Sequence, residues 1–557
     1  MIIYFYFIGF DKSNIYLKKK LLFKIKMCGI FCHISDNSSN LELKSNFERI
    51  QKRGPDYSIL QHINNITLGF HRLAINDLSD SGNQPFSDNN IYLICNGEIY
   101  NHKTLREKYN IKTNSNSDCE VILYMYQKMG FENTCNELDG VFSLIIYDIN
   151  INKVFVGRDP YGVRPLFIGY DESNEIFLSS ELKSIHDLTI YTKQFTPGYY
   201  LEYDIENKTS IYKNYYDYNL KIEYSRDINF ILEGIRNRLT NSVKKRLLSD
   251  RPIGALLSGG LDSSLICGII SKIYKENKKG ILNTFAIGIK GATDLEYSSK
   301  VAEYIGSKHH QVECEEEDFI NAIPEVIKTI ESYDTTSVRA SVGNYLIAKY
   351  IKENTDIVVV FNGDGSDEVL GGYYYMRNAP SSLDFQNECV KLLREINYFD
   401  GLRSDRSVSS EWSLEARTPF LDKEFVKYFM NIDPELKMYS EKKQEKYLLR
   451  KAFESENLIP REILWRPKEA FSDGCSSETR SWHKIIQEYL DGIISDEEFT
   501  ENKDKYKFNT PMTKESYYYR KLFEEYYPHK SNVIPHFWLP NWSSETIDPS
   551  ARELKDN

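Results

Sequence analysis

One short stretch constrains this chain more than any other, Ser258-Gly-Gly-Leu-Asp-Ser-Ser264. The apolar run Ile253–Leu257 precedes it, and a second apolar run, Leu265–Ile270, follows it directly. This order predicts a buried strand, a tight glycine turn and the first turn of a helix. Backbone N–H groups and the positive end of the helix dipole then converge on one spot, which favours an anion such as a phosphate group.

The side chains of this loop favour a nucleotide. Gly259 and Gly260 let the backbone come close to a ligand, and hydroxyl donors are supplied by Ser258, Ser263 and Ser264. Asp262 repels phosphate by itself, so we expect it to hold a magnesium ion against the phosphates. The loop has neither the Gly-Lys-Ser/Thr ending of a Walker A motif nor a dinucleotide G-x-G-x-x-G. It resembles the pyrophosphate loop of enzymes that cleave ATP between the α and β phosphates; a glycine turn without a ligand is the alternative.

Length and composition limit the class of protein. The 557 residues give room for two or more domains, each with its own core. The net charge of −11 argues against broad nucleic-acid binding. The nine cysteines contain no C-x-x-C pair, which predicts a reducing cytoplasm with neither a disulfide framework nor a structural zinc site. The ten histidines lack metal-ligand spacing, and we interpret His309-His310 as structural.

Short apolar strands alternate with polar turns between Cys28 and about Tyr216, a pattern that predicts a β-rich sandwich with helices. Taken alone, Cys28 is a small core residue. Its interpretation changes with the segments that accompany it, which are Met27-Cys-Gly-Ile-Phe31, Arg53-Gly-Pro-Asp56, Gly69-Phe-His-Arg-Leu-Ala-Ile75, Gly82-Asn-Gln-Pro-Phe86, Leu93-Ile-Cys-Asn-Gly-Glu-Ile-Tyr-Asn101, Ser115-Asn-Ser-Asp118, Leu138-Asp-Gly-Val-Phe142, Arg158-Asp-Pro-Tyr-Gly162 and Ser179-Ser-Glu-Leu-Lys183.

Together these segments resemble the glutaminase domain of the class II amidotransferases, an N-terminal-nucleophile fold with an αββα-type sandwich. The resemblance implies that Cys28 is the nucleophile and that its own α-amine is the general base. It places the Asn96 side chain and the Gly97 N–H in an oxyanion hole. For glutamine it implies Arg72 at the α-carboxylate, Glu98 and Asp118 at the α-ammonium, and a lining of Leu73, Ala74, Ile75 and Asn76.

The residues before Cys28 form an extension of uncertain origin. Met1–Phe10 is apolar and Lys18–Lys26 is basic, the reverse of the order in a secretory signal. The apolar run is about half as long as a bilayer span requires, and no later stretch of the sequence predicts one. A mis-assigned start, a removable leader and a weak targeting segment all fit. Met27 offers an alternative start whose methionine an aminopeptidase could remove, so we expect residues 1–27 to be absent from the mature enzyme.

The second half of the chain alternates strands and helices. The polar stretch Asp217–Asp227 marks the domain boundary. Apolar strands at Ile253–Leu257, Asn283–Gly288 and Ile357–Phe361 are separated by helical patterns, which predicts an α/β domain with a parallel sheet and helices on both faces. Ligands in such sheets lie at the carboxyl ends of the strands, where Ser258, Ile287 and Asn362 fall.

A second loop, Asn362-Gly-Asp-Gly-Ser-Asp-Glu368, follows the most apolar of these strands. Its three carboxylates would repel one another without a cation. We therefore expect Asp367 to be a second magnesium ligand beside Asp262.

From Met27 to about Arg552 the chain resembles the glutamine-hydrolysing asparagine synthetases, with both sets of motifs in that family's order. The resemblance implies a cytoplasmic adenylating enzyme that uses ATP, magnesium, aspartate and glutamine and passes ammonia through an internal channel to a β-aspartyl-AMP. It divides the chain into residues 28–216 (amidotransferase) and 217–557 (synthetase). A homodimer is compatible with it, with no nucleic-acid or membrane partner. The residues it implies are Leu257, Ile287, Asn362 and Gly363 at ATP, Thr336 and Arg339 in a pyrophosphate loop, and Lys468 at the adenylate.

One short segment departs from the pattern of that family. The family has Ser-Gly-Glu where this chain has Asn362-Gly363-Asp364. The family's glutamate is thought to help form the adenylate and to deprotonate the ammonia adduct. Asp364 keeps the carboxylate but is shorter by one methylene, roughly 1.5 Å of reach. We expect activity to persist, with the change bearing on rate.

Three other functions share part of this sequence pattern. A β-lactam synthetase or an amidating tailoring enzyme would adenylate another carboxylate, but β-lactam synthetases use no external nitrogen donor, so the intact Cys28 motif disfavours them. A non-catalytic regulatory protein would be expected to lose Cys28, Asp262 or Lys468, and all are present. A phosphoribosyl amidotransferase would share the first domain but not Ser258–Ser264.

Overall fold

The computed structural model describes residues 28–35, 43–218, 227–399, 405–440, 443–477, 479–543 and 547–549. The extension 1–27 and the fate predicted for it lie outside these residues, as does Arg552, where the family resemblance ends.

The first half of the chain forms two antiparallel sheets. Its strands are β1 (Gly29–Ile34), β2 (Tyr57–Ile63), β3 (Ile66–Arg72), β4 (Phe86–Asp88), β5 (Ile91–Ile99), β6 (Gly140–Asp148), β7 (Lys153–Arg158), β8 (Phe167–Tyr170), β9 (Ile176–Ser179), β10 (Tyr191–Gln194), β11 (Tyr199–Asp204) and β12 (Thr209–Asn214). One sheet has the order β10-β8-β9-β1-β3-β2 and the other β12-β11-β7-β6-β5-β4.

The two sheets pack face to face, with further layers outside them. In β1, Ile30 and Cys32 point into a core shared with Ile145 of the facing sheet, while Phe31 points outward to Phe47. This alternation is the normal two-residue period of a strand, and both faces of β1 are apolar because both are covered. The covering helices are α1 (Lys44–Glu48) on one side and α2 (His102–Tyr109), α3 (Val121–Met129) and α4 (Phe131–Glu137) on the other.

The second half forms a parallel sheet. Its strands are β13 (Ile253–Leu256), β14 (Asn283–Ile289), β15 (Lys308–Cys314), β16 (Val359–Phe361) and β17 (Glu415–Arg417), in the order β15-β14-β13-β16-β17. The chain leaves β13 for β14 on one side and later returns to β16 on the other. The loops after β13 and β16 therefore diverge at a topological switch point, where ligands bind in sheets of this type.

Helices cover both faces of this sheet. Ala255 and Phe361 belong to one core and Phe285 and Val360 to the other. The helices are α5 (Ile228–Arg246), α6 (Leu261–Glu276), α7 (Thr293–Ile305), α8 (Glu316–Ile330), α9 (Thr335–Asn354), α10 (Ser366–Leu370), α11 (Ser382–Glu395), α12 (Lys423–Met430), α13 (Pro434–Lys437), α14 (Tyr447–Phe453), α15 (Arg461–Leu464), α16 (Phe471–Gly474), α17 (Trp482–Ile493), α18 (Asp496–Asn502) and α19 (Lys514–Tyr526). The predicted fold, an antiparallel sandwich followed by a parallel α/β sheet, is confirmed.

The two halves meet through buried polar contacts. The Glu331 carboxylate, at the end of α8, accepts hydrogen bonds from the backbone N–H groups of Leu182 and Lys183, both at 2.8 Å. Arg164 of the first half pairs with Asp405 of the second at 3.1 Å. Glu331, Leu182, Arg164 and Asp405 are buried, whereas Lys183 is half-buried. Such interactions need exact partners on both sides, so they fix how the halves are placed.

Within the described part of the chain, no helix is long and apolar enough to cross a membrane.

Candidate active sites

The first pocket opens at Cys28, just before β1. The Leu73 N–H donates to the Cys28 Sγ at 3.3 Å, and Arg53 Nε donates to the Cys28 carbonyl at 2.9 Å. The structure brings most of the predicted glutamine-site residues together here. Those lining the pocket are Cys28, Arg72, Leu73, Ile75, Asn76, Asn96, Gly97, Glu98 and Asp118.

Ala74 does not line this pocket; its N–H instead donates to Asp56 Oδ2 at 3.0 Å.

A fixed cation forms one wall of the pocket. Arg72 Nη1 donates to the Ser79 carbonyl at 2.6 Å and to Asn83 Oδ1 at 2.7 Å, and Nη2 donates to the Asp77 carbonyl. Gly82 packs so closely on this guanidinium that a side chain there would collide with it. The positive charge is therefore held in place before any ligand arrives, which suits an anionic group such as a carboxylate.

Two buried carboxylates place negative charge in the same pocket as the Arg72 cation. Glu98 Oε2 and Asp118 Oδ1 both accept from Asn76 Nδ2, at 2.5 and 3.3 Å, and Asp118 Oδ2 accepts from the Ile99 N–H at 2.6 Å. Burial raises the pKa of both groups, and their mutual repulsion raises the pKa of Glu98 further. A cationic group entering the pocket would relieve this repulsion.

The Cys28 thiol is protonated at neutral pH. Burial raises its pKa to about 12, against the opposing effects of the Leu73 N–H and of Arg72. Because the thiolate is the nucleophile, this cysteine needs an adjacent base to take its proton. Next to it, Asn96 Nδ2 lies 3.5 Å from Ser180 Oγ, and Gly97 leaves no room for a side chain against the Val141 carbonyl.

The second half of the chain completes this pocket. Glu415, on β17, is among its lining residues. Its carboxylate lies 2.7 Å from Arg417 Nε and 3.3 Å from Arg164 Nη2, and Arg417 Nη2 lies 3.5 Å from Glu98. The sequence did not point to Glu415, because the strand that carries it is short and its neighbours in space are far away in the chain.

The second pocket lies at the carboxyl edge of the parallel sheet. Its turn is as predicted: Gly259 has a left-handed φ of +78°, α6 starts at Leu261, and Ser258 and Ser263 interact through their hydroxyls at 3.0 Å. The predicted residues that line it are Leu257, Ser258, Gly260, Asp262, Ser263, Ile287, Thr336, Asn362, Gly363, Asp364, Asp367 and Lys468.

Three predicted residues lie outside the pocket lining. Gly259 packs against Tyr297 and Ser298, which leave no space for a side chain. The Ser264 side chain is fully buried on α6. Arg339 lies on α9, where its guanidinium is held by Glu515 (Nε–Oε1, 2.8 Å) and by Asp548 (Nη1–Oδ1, 2.9 Å).

Thr336, one turn earlier on α9, does line the pocket, and its buried Oγ1 has no hydrogen-bond partner among the described residues.

A cluster of charges occupies the centre of this pocket. Lys446 Nζ lies 2.6 Å from Asp262 Oδ2 and 2.7 Å from Asp367 Oδ1, and Lys468 Nζ lies 2.5 Å from Asp367 Oδ2. Although burial opposes it, the two lysines hold the pKa of Asp367 well below its usual range. The carboxylates likewise raise the pKa of Lys468 against the effect of burial.

The cluster fits a metal that arrives with other ligands. Asp262 and Asp367 converge on one cation, and no group of three or more His, Cys, Asp or Glu side chains in the described ranges could hold a metal. Magnesium at nucleotide sites is bound in this way, by one or two carboxylates together with phosphate oxygens and water.

Sequence reasoning missed several residues of this pocket. Asp294, in the first turn of α7, is buried, and burial raises its pKa to about 7 in spite of Arg466 at 3.4 Å. Arg466 also pairs with Glu469 at 2.8 Å. A signal for Asp294 existed, since it follows β14 at the same edge of the sheet as Ser258. Lys446 belongs to the segment Glu445-Lys-Tyr-Leu-Leu-Arg450, for which the sequence predicts no role.

Fold and sites together define a class: an amidotransferase sandwich with a cysteine pocket, joined to a pyrophosphate-loop domain that uses ATP. Residues 27–216 match the family model for the glutamine amidotransferase domain, and residues 234–397 and 377–552 match that for asparagine synthase. The asparagine synthetases [glutamine-hydrolyzing] of Rattus norvegicus and Gallus gallus are each 43% identical, with 95% of this chain and 98% or 99% of theirs covered. The probable asparagine synthetase of Acanthamoeba polyphaga mimivirus is 42% identical, with 95% and 100% covered. The chain belongs to the family of glutamine-hydrolysing asparagine synthetases.

Proposed function

We propose that this chain makes asparagine from aspartate, taking ammonia from glutamine and activating aspartate with ATP as β-aspartyl-AMP. The products are AMP, pyrophosphate, glutamate and asparagine. One observation carries the proposal: β17 connects both pockets. Glu415 lines the first pocket, while the Arg417 carbonyl accepts from the Asn362 N–H at 3.1 Å beside the second.

In the first pocket, the Cys28 thiol attacks the carboxamide of glutamine. Its raised pKa calls for a base, a role that the α-amine of Cys28 can take only when residues 1–27 are absent. Asn96 and the Gly97 N–H stabilise the tetrahedral oxyanion, each donor worth roughly 3–4 kcal/mol of barrier. Arg72 binds the α-carboxylate, while Glu98 and Asp118 bind the α-ammonium.

In the second pocket, ATP lies along the carboxyl edge of the sheet. The phosphates lie against the Ser258–Ser264 turn, and the adenosine contacts residues that line the apolar side, namely Leu257, Ile287, Asn362 and Gly363. Asp262 and Asp367 would hold magnesium, which would neutralise charge at the phosphates.

The reacting groups are stabilised by side chains around them. Lys468 neutralises charge on the adenylate, and Asp364 takes the proton that the adduct of ammonia and the adenylate must lose as AMP leaves. Thr336 binds pyrophosphate through its hydroxyl, which has no hydrogen-bond partner in the described part of the chain. Arg339 contributes by anchoring α9 to Glu515 and Asp548, which positions Thr336.

Ammonia passes inside the protein from one pocket to the other. In water at neutral pH it would be mostly ammonium, which is not nucleophilic. We place the chain in a reducing cytoplasm, in keeping with nine free cysteine thiols, all within the described residues. A homodimer is the assembly to be tested, by light scattering.

The proposal is tested on protein that begins at Cys28. Incubation with ATP, aspartate and glutamine should yield asparagine, AMP and glutamate in equal amounts, measured by liquid chromatography and mass spectrometry. Replacing aspartate by glutamate or β-alanine derivatives should yield no AMP. If AMP formed with another carboxylate and not with aspartate, the chain would be an amidating relative with a different substrate.

A further inference from the structure

The Lys446 ammonium lies between the two carboxylates that are predicted to hold the metal. It is 2.6 Å from Asp262 Oδ2 and 2.7 Å from Asp367 Oδ1. Lys446 is only 4% exposed, unlike most lysines, which keep the ammonium in water. Burying a charge in this way is costly unless it is paired, so the position is specific.

The backbone is arranged around this lysine. Lys446 precedes α14 with a left-handed φ of +55°, which is rare for a residue with a side chain and costs free energy. Gly372 packs against its Cε and against Asp367, and any side chain at that position would collide with both. Arg450 holds the same segment by donating from Nε to the Glu445 carbonyl at 2.9 Å.

Each of the four carboxylate oxygens already lies next to a cation or a hydroxyl group, although Asp367 Oδ1 makes an ion pair without a hydrogen bond among the described residues. Asp262 Oδ1 accepts from Ser366 Oγ at 2.7 Å, and Oδ2 faces Lys446. Asp367 Oδ1 faces Lys446, and Oδ2 faces Lys468 at 2.5 Å. A divalent cation that arrives alone must displace an ammonium and adds charge next to another one. A cation that arrives with a polyphosphate brings compensating negative charge, which also attracts Lys446.

We propose that Lys446 is an internal counter-cation that keeps free divalent metal out of the Asp262–Asp367 site and yields to it only when nucleotide phosphates arrive. This inference rests on the proposed nucleotide function of the pocket. It makes Lys446 a positioning residue that imposes joint binding of metal and nucleotide.

Manganese binding tests this by equilibrium dialysis, in which the excess of Mn²⁺ on the protein side is bound to the protein, whether or not nucleotide is present on both sides. The probe nucleotide is α,β-methylene-ATP, which cannot be cleaved between the α and β phosphates. The unaltered protein should bind Mn²⁺ weakly alone and about one equivalent with the nucleotide. Lys446→Gln should bind Mn²⁺ alone at least tenfold more tightly than the unaltered protein, and Lys446→Gln with Asp262→Asn should lose this gain.

Lys443→Gln is the matched control, since it removes a lysine from the same segment but not from the pocket lining; its Mn²⁺ binding should be unchanged. Tight Mn²⁺ binding by the unaltered protein without nucleotide would overturn the inference. This outcome can be measured without any variant. So would a folded Lys446→Gln variant that binds Mn²⁺ with nucleotide but no better without it. If the unaltered protein bound no Mn²⁺ even with nucleotide, the proposed function of the pocket would be the part that fails.

Discussion

The amide of Asn362 donates to the carboxylate of Asp364, with 2.7 Å between Nδ2 and Oδ2, and the Asp364 N–H lies 3.3 Å from Asn362 Oδ1. These are the two positions at which the loop departs from the Ser-Gly-Glu of its family. The departures are in contact, and they are complementary: the longer residue at 362 supports the shorter acid at 364.

This contact predicts coupling between the two positions. Asp364→Glu alone restores the reach of the acid but crowds Asn362, so synthetase turnover with ammonia should stay within about tenfold of the starting value, or about 1.4 kcal/mol of barrier. Asn362→Ser with Asp364→Glu should equal or exceed the starting activity, and Asn362→Ser alone should be the slowest. If the two substitutions had additive effects on turnover in this double-mutant cycle, the contact between residues 362 and 364 would not affect catalysis.

Removing the thiol should separate the two activities. Cys28→Ala should lower asparagine formation from glutamine at least about a hundredfold, because the nucleophile is gone. Asparagine formation from added ammonium chloride should persist, since no residue of the second pocket changes. Cys32→Ala removes a buried cysteine on β1, the strand that follows Cys28; it is the matched control and should keep both activities. Equal loss of both activities in folded Cys28→Ala protein would contradict two separate sites.

The reverse separation is expected at the second pocket. Asp262→Asn should abolish aspartate-dependent AMP formation at physiological magnesium, because one of the two metal-binding carboxylates is lost. Hydrolysis of glutamine to glutamate should remain measurable. Asp356→Asn, at an exposed position, serves as the control. Normal AMP formation in Asp262→Asn would remove this residue from the site.

The start of the chain decides whether glutamine is used at all. With a peptide bond before Cys28 its nitrogen cannot act as a base, and the pKa of about 12 leaves the thiol protonated at pH 7. Protein purified from its native source should therefore begin at Cys28, as read by intact-mass spectrometry. Protein carrying residues 1–27 should use ammonia but not glutamine; full glutaminase activity with Met1 still attached would refute the assigned base.

The buried carboxyl of Asp294 predicts a pH effect on stability. Its pKa rises from 3.8 to about 7 on folding, so between these values the folded protein holds a proton that the unfolded chain releases. Stability contributed by this proton is full below about pH 4 and is lost as the pH rises through 7. Asp294→Asn should therefore lose less stability than the starting protein between pH 5 and pH 8, by up to about 2–3 kcal/mol. Urea unfolding at both pH values measures this, with Asp356→Asn as the control; equal losses would place Asp294 outside this window.

Local sequence could predict those parts of the fold that depend on local pattern. The Ser258–Ser264 turn could be predicted because apolar runs flank it. The pocket around Cys28 could be predicted because its motifs occur in the same order as in the class II amidotransferases. The strand Glu415–Arg417 could not be predicted, since three residues that carry two charges lack the apolar pattern of a buried strand. Glu98 and Arg164, more than 250 residues away in the chain, pair with these buried charges.

The structural role of Arg339 could not be predicted from the sequence either. In the sequence it is a cation in the predicted pyrophosphate loop. Its partners Glu515 and Asp548 lie 176 and 209 residues further along the chain. Only the folded chain shows that both are within reach. Lys446 was passed over for a similar reason, since the burial that distinguishes it is a property of the assembled pocket.

The strand β17 also limits how freely this enzyme can be taken apart. A chimera that grafts residues 28–216 onto an unrelated synthetase would leave Glu98 without Arg417 and would open the cysteine pocket where Glu415 closes it. The transplantable module therefore does not coincide with a contiguous stretch of chain. An exchange of amidotransferase domains among ligases would therefore have to include β17 or supply an equivalent strand.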